Sequence, residues 1–318
     1  MTFYCLISLE NKIKSWFFLI LLSIIWGSSF LLIKIALMDA NGNLRLSPDI
    51  LASLRLTLAF FFLLPLFYKH YKKIKKKDLP YLLISGFLGN GIPSFLFAYA
   101  ELNLSSAVTG MLNSLVPVFT IVIAAVFFSF IWKTKHFIGI LTGIIGTCLI
   151  VFQNNFTDFS SVSNAPILMV LGGSLCYAIS LNIIKFKLQH LHPSLITSAS
   201  FLFIGIPSLC YLLNSDFFSL AINGQMNQEG IVAVLILALV GTALAVLIFN
   251  RLIKISNPVF ASSITYLIPI VAVVFGAFYG ENISFQQLIG LATLLIGVLI
   301  INIENPFRRI KQVFIFDK

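Results

Sequence analysis

Polar residues inside long apolar stretches are the residues of this chain best placed to bind a ligand. Lys34 and Arg55 lie within such stretches, Asn90 lies in the helix-disturbing segment 89–93, and Asn113 stands one turn before a proline. A guanidinium can hold a carboxylate through two parallel hydrogen bonds, and an amide can bind a ligand or satisfy a freed backbone carbonyl. These residue types are typical of a small-molecule binding site.

Patterns for hydrolytic or metal chemistry are missing from the sequence. The aspartates are scattered, neither a His-Glu-x-x-His pattern nor a Gly-x-Ser-x-Gly elbow occurs, and the cysteines lack metal-binding or redox spacing. The histidines are His70, His136, His190 and His192, and the cysteines are Cys5, Cys148, Cys176 and Cys210. We therefore expect no catalytic residues, no metal site and no cofactor.

The composition determines the broad class of protein. Apolar residues make up 59% of the 318 residues and charged residues only 10%, and the mean hydropathy is +1.00. Soluble domains carry about 25% charged residues, so this chain could not cover a water-exposed surface. The pattern predicts an all-α polytopic membrane protein and excludes a disulfide-rich secreted chain and a transmembrane barrel.

Apolar runs divide the chain into ten predicted membrane helices. A helix of about 20 residues crosses a bilayer, and short loops account for the remainder. Only the segment 101–106 is available as a turn between the third and fourth runs. The predicted runs are 16–37, 50–68, 79–100, 107–131, 136–152, 166–186, 195–213, 230–250, 258–280 and 285–303.

The positive charges predict the orientation. Counted over alternate ends of the ten runs, 18 of the 21 lysines and arginines fall on the side of the N-terminus, including the run from Lys69 to Lys77. Only Arg45 lies on the other side, while Lys34 and Arg55 lie within runs. Because lysine and arginine mark the cytoplasmic side, both termini are predicted to be cytoplasmic. The net charge of +10 thus reflects orientation in a lipid bilayer, and we expect no nucleic-acid partner.

The sequence matches itself at an offset of about 151 residues. Trp26 and Lys34 align with Tyr177 and Lys185, and Pro117 aligns with Pro269 after one residue of slippage. Each unit then holds five helices, so the second enters the membrane with inverted orientation, as in alternating-access transporters. We predict a first five-helix repeat over 16–152, a second over 166–303 and a basic cytoplasmic tail over 304–318.

Several motifs resemble EamA-type transporters of the drug/metabolite transporter superfamily. They are Trp26-Gly27-Ser28-Ser29-Phe30, Leu54-Arg55-Leu56, Phe97-Ala98-Tyr99-Ala100-Glu101, Leu112-Asn113-Ser114-Leu115-Val116-Pro117, Tyr266-Leu267-Ile268-Pro269 and Gly280-Glu281. The resemblance covers roughly 16–303, although the first unit has Phe130 near the position of Glu281. It implies a ten-helix inner-membrane carrier, often an exporter of amino acids or other small metabolites.

The substrate site is predicted at mid-membrane, where helices are interrupted. The third run is disturbed by Gly89, Gly91 and Pro93, and the eighth run by Gly241. Pro117 disturbs the fourth run and Pro269 the ninth. Tight packing of small residues is the alternative explanation for the glycines. The predicted substrate-binding residues are Trp26, Arg55, Asn90, Asn113, Tyr99, Tyr177, Asn182, Asn250 and Tyr266.

Four charged residues are placed near the periplasmic side. Lys34 and Arg55 lie about 6 and 8 Å inside their helices at 1.5 Å per residue, where they either attract an anionic group or snorkel, with Asp39 or Asp49 as neighbours. Glu101 and Glu281 stand at outer helix ends, where solvation of the helix end is the expected role and a proton relay the alternative. The sequence thus predicts a secondary transporter, with export and amino-acid-like substrates favoured; an integral-membrane enzyme or a non-transporting scaffold is the alternative.

Overall fold

The computed structural model describes residues 2–39, 41–128, 133–152, 164–222, 227–256 and 264–302. The described helices are α1 (Thr2–Leu37), α2 (Pro48–His70), α3 (Leu79–Gly86), α4 (Ile92–Ala100), α5 (Ser106–Asn113), α6 (Val116–Phe127), α7 (Thr134–Phe152), α8 (Asn164–Lys187), α9 (Pro193–Asn214), α10 (Phe217–Ile222), α11 (Gln228–Ile236), α12 (Ala245–Ile255), α13 (Ile264–Phe278) and α14 (Phe285–Asn302). Single 3₁₀ turns occupy Tyr71–Lys73 and Lys76–Asp78. The chain is all-helical over these residues, apart from loops and one isolated bridge between Met38 and Leu44.

Eight stretches of the described residues are long and apolar enough to cross a membrane, and two shorter apolar helices, Ile264–Phe278 and Phe285–Ile301, follow them. The first helix begins at Thr2, well before the predicted start at 16, although its apolar stretch begins at Ile13. The start of the predicted ninth run lies outside the described residues, and so does the whole predicted tail over 304–318. The protein is a multi-pass membrane protein.

Helices of the two predicted repeats pack against one another. α2 lies against α9, α1 against α13, and α7 against α14. The α7–α14 contact depends on glycine, because a Cβ atom at Gly146 would lie 2.5 Å from the backbone nitrogen of Leu294. Each pair joins a helix of one half to a helix of the other, so the two halves pack together along several helices.

The two predicted interruptions at glycine are π-helical segments. Phe87–Gly91 joins α3 to α4, and Leu237–Leu244 joins α11 to α12. The backbone continues through both, so the helices are widened rather than broken there. Pro93 stands in the first turn of α4, directly after the π-helical segment, and its missing amide removes one donor next to the widened turn. The widened turns lie at equivalent positions of the two repeats, near the middle of their spans.

The two remaining prolines behave differently. A turn at Ser114–Leu115 separates α5 from α6, and Pro117 is the second residue of α6. Pro269, in contrast, lies inside the continuous helix α13. The break predicted at Pro269 is therefore absent, because the loss of one amide donor is local and the surrounding turns stay helical.

Candidate functional site

A cavity of about 350 Å³ lies between the two halves of the bundle. It falls in the range of small-molecule sites, which measure roughly 300–1,000 Å³. Residues from both halves line it: Trp26, Ser29, Phe30, Ile33, Arg55, Gly89, Asn90, Phe97, Asn113, Ser114, Val116, Tyr177, Leu181, Gly241, Thr242, Val246, Thr265, Ile268 and Pro269. Most of the wall is apolar, with a few polar groups facing the space.

Aromatic rings form much of the wall. The Trp26 indole donates a hydrogen bond from Nε1 to the carbonyl of Gly241, at 3.0 Å, within the second π-helical segment. The ring of Phe97 stacks on that of Tyr177 with 5.7 Å between centroids, and Phe30 meets Phe97 edge to face at 6.0 Å. Trp26 and Tyr177, which the repeat aligns, thus both face the cavity.

Arg55 supplies the positive charge of the cavity. Its Nε donates to the hydroxyl of Thr242 at 3.2 Å, and that hydroxyl donates to the carbonyl of Leu237 at 3.0 Å. Within the described residues, no carboxylate lies within 4.0 Å of the guanidinium. Arg55 lines the cavity, where guanidinium donors not used by Thr242 could hold an anionic group.

Two asparagines also line the cavity. Asn113 lies at the end of α5, where the helix turns, and its Oδ1 accepts a weak hydrogen bond of 3.4 Å from the hydroxyl of Ser174. Asn90 lies in the first π-helical segment, and its backbone carbonyl accepts from the hydroxyl of Ser94 at 2.6 Å. The turn at Asn113 and the widened turn at Asn90 therefore lie at the cavity wall.

A smaller cavity of about 120 Å³ adjoins the first and shares Gly89, Asn90, Tyr177 and Leu181 with it. Its other lining residues are Ser85, Ser180, Ile184, Ile196, Thr197 and Ser200. Ile184 and Ile196 lie within one turn of the facing ends of α8 and α9. The space between the halves therefore extends toward the end of the bundle that holds Lys69–Lys77, called here the lysine-rich end.

Some residues predicted to bind substrate lie elsewhere. The Tyr99 side chain is on the outer surface, where its hydroxyl donates to Asp49 at 2.7 Å. Asn182 is buried against α6 and donates to the carbonyls of Thr120 and Ala178. Tyr266 donates from its hydroxyl to the carbonyl of Val298 at 3.3 Å, and the side chain of Asn250 lies outside the described residues. In each described case the polar group bonds to the protein away from the cavity.

The sequence analysis missed other wall residues, among them Phe30, Phe97 and Thr242. A signal was available for α1, because Trp26, Ser29, Phe30 and Ile33 follow the spacing of one helix face. Thr242 stands within the predicted interruption of the eighth run, but its role depends on Arg55, which is distant in sequence. Helix periodicity could have identified the wall residues of α1. Only the packing of distant segments brings Arg55 and Thr242 together.

Polar contacts close the opposite end of the bundle, called here the Arg45 end. Arg45 pairs with Glu229, which the sequence analysis overlooked. The Lys34 ammonium donates to the carbonyls of Glu101, at 2.6 Å, and Leu104, at 3.1 Å. Lys34 therefore neither lines the cavity nor bonds to Asp39 or Asp49; Asp39 accepts hydrogen bonds from Asn41 and Asn43, and Asp49 accepts one from Tyr99.

The two glutamates at this end have different environments. The Glu281 carboxylate accepts from the backbone amides of Ser106, at 2.7 Å, and Ala107, at 2.9 Å, at the start of α5. A carboxylate is favourable there because the amides and the helix dipole are positive at a helix N-terminus. Gly276 leaves room for it, since a Cβ atom at that position would lie 2.5 Å from Glu281 Oε2.

Glu101, in contrast, is fully buried, and neither of its carboxylate oxygens has a hydrogen-bond partner. It follows directly after the span that ends at Ala100. Burial raises the pKa of the Glu101 carboxyl well above its usual range; the charge of Lys34 opposes this rise and that of Glu281 adds to it. The expectation of a solvated helix end is therefore wrong for Glu101, because the 101–105 connection folds under Lys34 and excludes water.

Known proteins resemble this chain over nearly its whole length. The EamA-like transporter family matches residues 13–152 and 164–303. An uncharacterized transporter of Archaeoglobus fulgidus is 24% identical over 91% of this chain and 98% of its own. A probable amino-acid metabolite efflux pump of Salmonella typhimurium is 24% identical over 90% of this chain and 94% of its own. An uncharacterized inner membrane transporter of Escherichia coli K12 is 24% identical over 89% of this chain and 88% of its own.

A solved structure supports the fold alone. It shares 14% identity with this chain, and the two superpose with a TM-score of 0.58 over 90% of this chain and 95% of the other. Apolar helices around a central cavity with a charged wall residue define a multi-pass membrane protein with an internal cavity. The chain belongs to the EamA-like transporter family, whose model matches both halves, and it is a membrane transporter.

Proposed function

We propose that this protein carries a small metabolite with an anionic group, amino-acid-like in character, across the inner membrane by alternating access. The observation that carries the proposal is Arg55, a cavity-lining guanidinium with no carboxylate partner among the described residues. A desolvated cation is costly inside a membrane protein unless a ligand or partner compensates it. A substrate carboxylate would supply that compensation through two hydrogen bonds.

The rest of the wall suits the remainder of such a substrate. Asn90 and Asn113 can accept from or donate to an amino group, and the rings of Trp26, Phe97 and Tyr177 can cover apolar parts. Two relatives carry names that agree with this substrate class, direction and membrane: the probable amino-acid metabolite efflux pump and the inner membrane transporter. We therefore favour export.

The predicted inverted repeats and the asymmetry of the two ends support alternating access. Contacts of Lys34, Arg45 and Glu281 close the Arg45 end, while the smaller cavity extends toward the lysine-rich end. We infer that all ten predicted helices span the bilayer, with both termini and the lysine-rich end in the cytoplasm. The described conformation would then receive substrate from the cytoplasm.

Transport assays in proteoliposomes test the proposal. Vesicles holding the purified protein are loaded with a ¹⁴C-labelled mixture of L-amino acids, and loss of label is followed in the parent protein and in Arg55→Ala and Arg55→Lys. Removing one partner of a buried charge pair costs about 2–5 kcal/mol, so we expect Arg55→Ala to lower transport at least about thirtyfold. Arg55→Lys should recover only part, because an ammonium lacks the planar fork.

Arg251→Ala is the matched control. Arg251 is exposed at the end of α12 that leads away from the cavity, and its guanidinium lies over the ring of Phe18 at 5.8 Å. This variant loses the same charge outside the site and should transport like the parent. Parental transport by Arg55→Ala would show that the cavity arginine does not bind the substrate. Absence of label movement in the parent would contradict the amino-acid class.

A further inference from the structure

Glu101 lies beside the cavity without lining it. Its amide donates to the carbonyl of Phe97 at 3.0 Å, and Phe97 is a wall residue. The backbone of Glu101 therefore lies about one helical turn, or 5.4 Å, beyond that of the wall residue Phe97 along the helix axis. Full burial without a hydrogen-bond partner is a costly position for an ionised carboxylate.

Three charged groups act on this carboxyl: Lys34 from α1, Arg55 from α2 and Glu281 from the segment before α14. Lys34 contacts the 101–105 connection, since its ammonium donates to the backbone carbonyl of Glu101. The Glu281 carboxylate is held by the amides of Ser106 and Ala107. With these three groups ionised, the cluster is neutral when Glu101 is ionised and carries one positive charge when Glu101 is protonated.

We propose that Glu101 is a proton-binding site at the closed end of the cavity, and that its proton is linked to binding of an anionic substrate beside Arg55. The reaction is the addition of one proton to the carboxylate, with no other bond made or broken. The positive charge left after protonation attracts the substrate anion, and by reciprocity the bound anion strengthens proton binding. Opening of the Arg45 end would expose the carboxyl to water and release its proton.

The proton site is tested first, without any substrate. Infrared spectra of the full chain in liposomes are recorded while the pH is raised, for the parent, Glu101→Gln and Glu229→Gln. A protonated carboxylic acid gives a carbonyl stretch that a carboxylate lacks. We expect this band to persist at neutral pH in the parent and in Glu229→Gln, and to be lost in Glu101→Gln. Glu229 is the control because its side chain is 71% exposed.

A band that is absent at neutral pH in the parent, or unchanged in Glu101→Gln, would overturn the proton site. Size-exclusion profiles of the variants show whether the glutamine substitution, which keeps the shape of the side chain, leaves the fold intact. This measurement does not depend on the proposed function, so it still decides the proton site if the parent moves no label.

The link to substrate rests on the proposed function and is tested by flux of the ¹⁴C-labelled amino-acid mixture across a pH series. One pH unit changes the ratio of protonated to ionised carboxyl tenfold, so flux in the parent should fall by up to about tenfold per unit above the pKa of Glu101. Glu101→Gln, which imitates the protonated form in charge, should lose this dependence. Equal pH dependence in the parent and in Glu101→Gln would overturn the link.

Discussion

At the scale of single residues, Arg55 bonds to Thr242 at the cavity wall. One hydroxyl accepts from Arg55 and donates to the carbonyl of Leu237, five residues earlier in the π-helical segment. This hydrogen bond engages Nε, and Arg55 as a residue lines the cavity. Thr242 is in this sense a positioning residue for Arg55.

Thr242→Val tests this arrangement, because valine keeps the shape of the side chain and removes the hydroxyl. A hydrogen bond to a charged group contributes about 1.5–3 kcal/mol, so we expect the KM for the labelled amino acids to rise roughly tenfold or more. Vesicle flux at several substrate concentrations measures it.

Thr293→Val is the control for this substitution, since the Thr293 hydroxyl bonds only to the Ile289 carbonyl of its own helix, away from the cavity. Its KM should stay at the parental value. A parental KM for Thr242→Val would mean that Arg55 is held without the hydroxyl.

At the scale of elements, glycine decides how closely α7 and α14 approach. A Cβ atom at Gly146 would lie 2.5 Å from the Leu294 nitrogen and 2.6 Å from the Gly290 carbonyl oxygen. Both atoms belong to the backbone and cannot rotate away. At Gly143, on the same helix, a Cβ atom would first meet Val118 Cγ2, at 3.4 Å. The two glycines of one helix thus differ in what a methyl group would meet.

Gly146→Ala should therefore destabilise the bundle, and Gly143→Ala should be tolerated. Overpacking costs typically about 1–3 kcal/mol, so we expect a clearly lower Tm for Gly146→Ala. Thermal unfolding of the two purified variants and the parent in detergent measures the difference. Equal Tm values for the two variants would show that the contact between α7 and α14 can relax without cost.

At the scale of the whole molecule, orientation can be tested by labelling from one side. Asn43 lies in the exposed loop after α1, and Lys76 lies in the exposed lysine-rich segment. In a chain whose cysteines are replaced by serine, a membrane-impermeant maleimide should label Asn43→Cys in intact cells. It should label Lys76→Cys only after lysis. Labelling of Lys76→Cys in intact cells would reverse the predicted orientation.

Much of the architecture was accessible from the sequence because it depends on local properties. Hydropathy marks each apolar stretch without knowledge of its neighbours, and the self-match near 151 residues placed Gly89 and Gly241 at equivalent positions. The structure has π-helical segments at both. The repeat also aligned Trp26 with Tyr177, and both line the cavity.

Contacts between distant segments were not accessible in the same way. Lys34 and Arg55 look alike in the sequence, as cations placed within apolar runs at similar depth. Lys34 bonds to the connection after α4, whereas Arg55 turns to the cavity and Thr242. The partners that separate them lie 67 to 187 residues away, and no local pattern encodes such a distance.

The sequence by itself determined that this chain is an all-helical membrane protein of two similar halves, because hydropathy and repetition act within segments. Only the tertiary structure decided which polar groups meet the cavity and which are sealed from water. Glu101 is the clearest case: its position at a helix end predicts solvation, and the packing of α1 against the 101–105 connection buries it. Burial depends on the atoms that surround a group, and those come from the whole fold.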